Sequence, residues 1–384
     1  MTSHPERRPT QAYIDLDALA FNFHSAKQFI GEEIRCMAVV KADAYGHGAA
    51  ACARRLEAEG IDWFGVAIPE EGVELRQAGV KSPILCLGSY WPGQEVLLAE
   101  YDLTPVVFSK VTAQHLSEFS ARNGKNFSIH VKIDTGMGRV GIDHRESAEF
   151  AHALAAISGL TVTGLLTHFP SAEDPNQNEF TNLQIERFEK ACDDFRAAGH
   201  EPEWLDMANS PAAIRHPRSR GNMVRLGGAL YGLVDDILTP DTIRPDLRPV
   251  LSLSSRIAHI KKVWPGETLG YGRTFATQRE SRIALLPIGY ADGYPRGLSN
   301  IGKAWVKDHL APVVGRISMD WTLIDVTDIP NVATGDEAFL IGGPNQEIKA
   351  ADLAAPLNTI GYEITCGISP RVPRIFVGPQ TDSP

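Results

Sequence analysis

The 384-residue chain is 43% apolar and 22% charged, the composition of a globular protein with room for about two domains. Its 47 acidic and 37 basic residues leave a net charge of −10, and no Lys/Arg-rich block runs along it, which argues against nucleic acid or an anionic membrane as partner. Five cysteines that form no C-x-x-C pair point to a reducing, cytoplasmic setting and to no metal cluster.

In chain order, the opening "MTSHPERRPT" is polar and does not read as a secretory signal, and no later stretch is apolar enough to span a membrane. The strand-like "AYIDLDAL" near residues 12–19 fits either of two domains. Short Val/Ile/Leu-rich runs follow as "MAVVKAD", "WFGVAI", "PILCLG", "TPVVFS", "IHVKIDTG", "GLLTHF", "WLDMAN" and "NMVRLGG". Between them, "AACARRLEAEG", "EEGVELRQAG", "KVTAQHLSEFSARNG", "SAEFAHALAAIS" and "EFTNLQIERFEKACDDFRAAG" carry apolar residues at helical spacing. Nearly continuous apolar strands alternating with helices predict an α/β fold, a parallel (β/α)₈ barrel of the TIM type over residues 12–245. A doubly wound sheet would alternate in the same way, and the count of strands favours closure. After "DTIRPDLRP" (241–249) the texture changes to Pro, Gly and period-two alternation, as at Ile317, Met319, Trp321 and Leu323 of "RISMDWTL". Residues 246–384 are therefore expected to form a second, mostly β domain.

The polar anomalies gather at one end of the predicted barrel. Lys41 interrupts the apolar run "MAVVKAD"; it is either a lysine whose stem packs on the sheet while its amine reaches water, or an amine kept reactive toward a carbonyl. Arg139, His168, Asn209, Ser210 and Arg225, with Gly227 and Gly228, also fall at or just past strand carboxyl ends. Each alone has an ordinary reading as a loop charge, a hydrogen-bonded core histidine or a turn. Together they suit an anionic, carbonyl-bearing ligand: the Gly227 and Gly228 amides and the Ser210 hydroxyl for a phosphate, Lys41 for an aldehyde and Arg225 for a ring nitrogen. That ligand is pyridoxal 5′-phosphate. An arginine cannot give up its proton, so it leaves the ring a weak electron sink, suited to removal and return of a proton.

"AVVKADAYGHG" resembles the cofactor-lysine motif of the alanine racemase family, and "KIDTGMGRVG", "THF", "ANS", "NMVRLG", "LGYGRTF", "IGYADGYPR", "GRISMD" and "RVPRIF" follow in the family's order, from Tyr13 to Phe376. The resemblance implies a barrel followed by a β domain, a homodimer with shared active sites, and interconversion of L- and D-alanine, the D form supplying peptidoglycan. It implies that Lys41 carries the cofactor and is the base for one enantiomer, and that Tyr271 of the neighbouring subunit is the base on the opposite face. Tyr45, Ser210, Gly227 and Gly228 would hold the phosphate, while Asn209 and Arg225 complete the cofactor shell and His168 links Arg225 to Tyr271. Arg139 would bind the substrate carboxylate, with Met319 and Tyr290 of the other subunit closing the pocket and Asp320 orienting it. Lys132 matches a lysine that many members carry as a carbamate, which would orient Arg139; a plain contact with Asp134 is the other reading.

Two departures bear on substrate choice. Pro370 stands where several relatives have tyrosine, and Gly228 replaces a larger apolar residue of some members, so serine or another small amino acid is an alternative substrate. A barrel-type amino-acid decarboxylase would want an acid where Arg225 stands. A non-catalytic single-barrel cofactor-binding protein would lack residues 246–384 and Tyr271.

Overall fold

A computed structural model describes residues 8–378. The first seven residues, part of the opening read as no secretory signal, and the last six lie outside the described residues. The chain divides into two compact units. One takes the chain up to Ala18, Tyr45–Gly48 and the chain from Arg248 onward; the other takes most of Leu19–Leu247.

The chain opens with β1 (Gln11–Asp15) and α1 (Leu16–Ile30). The Asp15 carboxylate accepts a hydrogen bond from the Ala18 amide at 2.8 Å, an N-terminal cap that ends the strand and starts the helix. The strand expected near residues 12–19 is therefore shorter, and Leu16–Leu19 are helical.

In the larger unit β2 (Arg35–Val39), β3 (Trp63–Val66), β4 (Ile84–Cys86), β5 (Thr104–Val107) and β6 (Phe127–Asp134) pair in parallel in that order. A two-residue strand, β7 (Ile142–Asp143), adds to the end of β6, which also pairs with β8 (Leu160–Leu166). The series ends with β9 (Trp204–Asp206) beside β8, and β10 (Met223–Leu226) beside β2. The seam between β9 and β10 is closed by backbone bonds from Arg225 to Ala208 (2.8 Å) and from Asn222 to Leu205 (3.3 Å). Each of the eight apolar runs thus becomes a strand of a nearly closed parallel barrel. Met37, Trp63, Leu85, Val106, Leu166 and Met223 pack together as buried core, a filled barrel and no pore.

A short helical turn, α2 (Lys41–Gly46), follows β2, and the outer helices are α3 (Ala49–Ala58), α4 (Pro69–Gln77), α5 (Glu95–Glu100), α6 (Lys110–Asn123), α7 (Ser147–Ala155) and α8 (Asn178–Ala197). A last short one, α9 (Ser210–Arg215), precedes β10.

The second unit is mostly β. Its main sheet runs from the edge strand β17 (His309–Pro312) through β16 (Lys303–Val306), β19 (Glu337–Ile341) and β11 (Leu251–Arg256) to β1 and β20 (Arg374–Val377). Thus β1, whose membership the sequence left open, pairs antiparallel with β11 and parallel with β20. A smaller sheet joins β12 (His259–Val263), β15 (Ser281–Leu286) and β18 (Thr322–Asp325); β13 (Thr268–Leu269) and β14 (Phe275–Ala276) form a ribbon. The alternation in "RISMDWTL" is strand only from Thr322. Before it the chain turns tightly: the Ser318 amide donates to the Trp321 carbonyl at 3.0 Å, and the Ser318 hydroxyl accepts from the Trp321 amide at 3.1 Å.

Candidate active site

Lys41 begins α2, immediately past the carboxyl end of β2. Ala42, Asp43, Ala44 and Tyr45 all have φ between 52 and 56°, so this turn is left-handed. For residues with a Cβ that conformation costs roughly 1–2 kcal/mol each, and it needs holding. The Glu71 carboxylate supplies part of the hold, accepting from the Ala42 amide and the Ala67 amide at 2.7 Å each. Asp43 accepts from the Ala49 amide at 2.7 Å. The motif's glycines have steric causes: a Cβ on Gly46 (φ +83°) would lie 2.1 Å from the Thr365 carbonyl oxygen, and one on Gly48 (φ +93°) 2.7 Å from the Phe376 ring. Replacing Glu71 by alanine should therefore lower unfolding stability by about 1.5–3 kcal/mol, the scale of hydrogen bonds to a charged group. Urea melts would measure it, and a change under about 0.5 kcal/mol would mean that the turn holds itself.

On β10, the strand next to β2, Arg225 is buried. Its Nη2 donates to the carbonyls of Thr167 (2.7 Å) and Met207 (3.1 Å) and to His168 Nδ1 (3.2 Å); its Nη1 donates to the Asp206 carbonyl at 3.2 Å. The same Nη1 lies 2.5 Å from Oδ1 of Asp206, a wholly buried carboxylate at the end of β9. Among the described residues, Nε of Arg225 makes no hydrogen bond to protein. Because arginine only donates, Nδ1 of His168 is the acceptor and its proton sits on Nε2. Burial, then the cations Arg225, Lys132, Arg139 and Lys41, hold this imidazole well below its ordinary pKa, so it is neutral.

Lys132, on the buried face of β6, is pulled down to about 7 by burial and by repulsion from Arg225 and Arg139. Asp134 does not face it as an ion-pair partner; that carboxylate accepts from the Gly136 (2.9 Å) and Gly138 (3.1 Å) amides and shapes the loop that carries the exposed Arg139. Lys41, Lys132, Arg139, His168 and Arg225 thus form one electrostatic cluster at the strand carboxyl ends.

Ser210 is buried at the start of α9, and its Oγ accepts from the Gly227 amide at 2.9 Å and the Ala229 amide at 3.4 Å. Gly228 is buried beside it. Asn209 caps α9 by accepting from the Ala212 amide at 3.2 Å, and its side-chain NH2 donates to the Phe169 carbonyl at 3.2 Å. Its side chain is a structural cap.

The remaining predicted residues belong to the β-rich unit. Tyr271 stands 72% exposed in a tight turn beside a cleft of about 340 Å³ lined by Gly270, Arg316, Ser318, Trp321 and Leu323. Tyr290 and Met319 are brought together by backbone bonds from the Tyr290 amide to the Ser318 carbonyl (3.1 Å) and from the Ala291 amide to the Met319 carbonyl (3.0 Å). Both side chains are exposed, and Asp320 is tied to Arg371 at 2.7 Å. Tyr45 stacks on Tyr362 with ring centroids 5.3 Å apart, and Pro370 is exposed. Asp206 was not anticipated from the sequence, although an acid within the apolar run "WLDMAN" is the same anomaly that singles out Lys41.

A nearly closed parallel barrel with two amines, two guanidinium groups and a neutral imidazole at the carboxyl ends of its strands, continued by a mostly β unit, defines a barrel enzyme for a small anionic substrate. Residues 14–235 match the family described as "Alanine racemase, N-terminal domain", and residues 250–376 match "Alanine racemase, C-terminal domain". The chain belongs to the alanine racemase family. It is 45% identical over 370 residues to the alanine racemase of Halothermothrix orenii, covering 96% of this chain and 97% of that one. It is 40% identical to the alanine racemase of Geobacter sulfurreducens, covering 98% and 99%. Among solved structures, the alanine racemase of Clostridium difficile 630 superposes with a TM-score of 0.91 at 38% identity, covering 97% of each chain. The Bacillus anthracis enzyme with bound L-Ala-P superposes with a TM-score of 0.90 at 35% identity, covering 98% of this chain and 96% of that one.

Proposed function

We propose that this protein racemises alanine with pyridoxal 5′-phosphate and two bases, Lys41 and Tyr271. The observation that carries the reading is Arg225: an arginine, locked by three backbone carbonyls and His168, with Nε left over for the cofactor's ring nitrogen. A decarboxylase would want an acid there. The residues fit the group: the Ser210 hydroxyl, already fixed by the Gly227 amide, has its proton to give to a phosphate beside the Gly227 and Gly228 amides, and Tyr45 is read as a further phosphate ligand. When bound, the cofactor supplies an aldehyde for attachment to Lys41 and a ring that acidifies the substrate Cα–H.

Within that frame Arg139 binds the substrate carboxylate, and Lys41 takes or returns a proton on one face of Cα. Tyr271 serves the other face from a second copy of the chain, with Met319 and Tyr290 closing the pocket. Side chains of this size standing exposed fit a face that a second copy covers, and support a homodimer. Lys132 is read as the carbamate that orients Arg139: a neutral amine is the form that adds carbon dioxide, and the product is an anion among cations. The ligands named for two relatives, L-Ala-P in Bacillus anthracis and cycloserine in Clostridium difficile, support a small amino acid as substrate. No helix among the described residues is long and apolar enough to cross a membrane; we place the enzyme in the cytoplasm, supplying D-alanine for peptidoglycan.

Following the optical rotation of L-alanine with the purified protein, while collecting carbon dioxide, tests this reading. Rotation should decay to zero without gas release. Decarboxylation, or no change with alanine alongside rapid racemisation of serine, would overturn it.

A further inference from the structure

We propose that Asp206 is a positioning residue for Arg225, and that its negative charge sets the electrostatics in which Lys41 works. The inference rests on the function proposed above. Asp206 grips the guanidinium twice, through its carboxylate at 2.5 Å and its own carbonyl at 3.2 Å, both on Nη1. With Nη2 occupied by two carbonyls and His168, this grip fixes the plane of the guanidinium and the direction of Nε.

The charge matters as much as the geometry. The Lys132 amine is pushed down by burial and by the cations Arg225, Arg139 and Lys41, and Asp206 opposes that shift. His168 is pushed down by burial and then by the same set of groups, Arg225 foremost. Burial pushes the Asp206 carboxyl up, and Arg225 on β10 and Lys132 on β6, the cations that face it, work against that and favour its charged form. This buried carboxylate therefore offsets the charge of Arg225, and it sits behind the arginine. In that position it lets Arg225 donate a hydrogen bond to the ring while the pair carries no net charge. A carboxylic acid touching the ring directly could hand it a proton; this one acts through a residue that cannot.

The test compares the wild-type holoprotein with Asp206→Asn, which keeps the shape and removes the charge, and Asp206→Glu, which keeps the charge. Folding is checked by circular dichroism. In folded Asp206→Asn, the pH midpoint of the cofactor's visible band should fall by about one unit, because an uncompensated cation disfavours protonation nearby. The kcat for racemisation should fall at least tenfold with KM within twofold, and Asp206→Glu should restore the midpoint. A folded Asp206→Asn with midpoint and kcat within twofold of wild type overturns the proposal. Should Asp206→Asn fail to fold, infrared spectroscopy of wild type labelled with 13C-aspartate decides: an ionised Asp206 at pH 7 supports the proposal, and a protonated one overturns it. Wild type with neither visible band nor racemisation would instead refute the function on which the inference rests.

Discussion

Lys41→Ala should have no visible cofactor band and should lose racemisation by on the order of 10³-fold or more, because it removes both the attachment point and one of two bases. Borohydride treatment of the wild type should fix the cofactor covalently to the peptide containing Lys41. The competitor is Lys132, the other lysine of the cluster, whose amine is pulled down to about 7 and so is nucleophilic near neutrality. Position decides between them. Lys132 lies two residues before the end of β6 and is nearly buried, whereas Lys41 follows the end of β2 on a turn whose left-handed backbone is stapled by Glu71. Four consecutive left-handed residues are a costly way to leave a strand, and they fit a segment that must deliver one side chain in one direction. Peptide mapping after reduction reads the outcome, and cofactor on Lys132 would reverse the roles of the two lysines.

The barrel was legible because parallel strands buried on both faces must be apolar at every position, so "WFGV" and "MVRL" stand out from their surroundings and each polar residue within such a run is an anomaly. Lys41 and Arg225 were found in this way. Asp206 obeys the same rule and was passed over because β9 is only three residues long, too short for one acid to break a pattern. The start of α1 was misread for a different reason: Ile14, Leu16 and Ala18 alternate with aspartates across the boundary, and only the capping bond of Asp15 tells strand from helix. In "RISMDWTL" alternation came from a turn that buries Ile317 and turns Met319 and Trp321 outward. Exposed apolar residues at period two report which side chains face away from the core, and a tight turn produces that pattern without any strand. The left-handed turn after Lys41 left only Gly46 and Gly48 as traces, since the four residues that adopt it are ordinary alanine, aspartate and tyrosine.

Inactive Lys41→Ala and Tyr271→Ala chains should rescue each other when they share a dimer. Lys41 belongs to the barrel unit and Tyr271 to the β-rich unit, and the proposed site takes its lysine from one copy and its tyrosine from the other. The exposure of Tyr271, at 72%, supports a role outside its own chain: a base buried within its own subunit would be shielded already. In a mixed dimer of two-fold symmetry one site collects both substitutions, and the other receives an intact Lys41 from one chain and an intact Tyr271 from its partner. With random pairing about half the dimers are mixed and one of two sites in each works, so activity should recover to about a quarter of wild type. Each variant alone should remain nearly inactive. Two different affinity tags and sequential purification isolate the mixed species, which should then show about half the wild-type activity per dimer. Verified mixed dimers without activity would mean that both bases come from the same chain, and that the exposed face around Tyr271, Tyr290 and Met319 serves some purpose other than completing a neighbour's site.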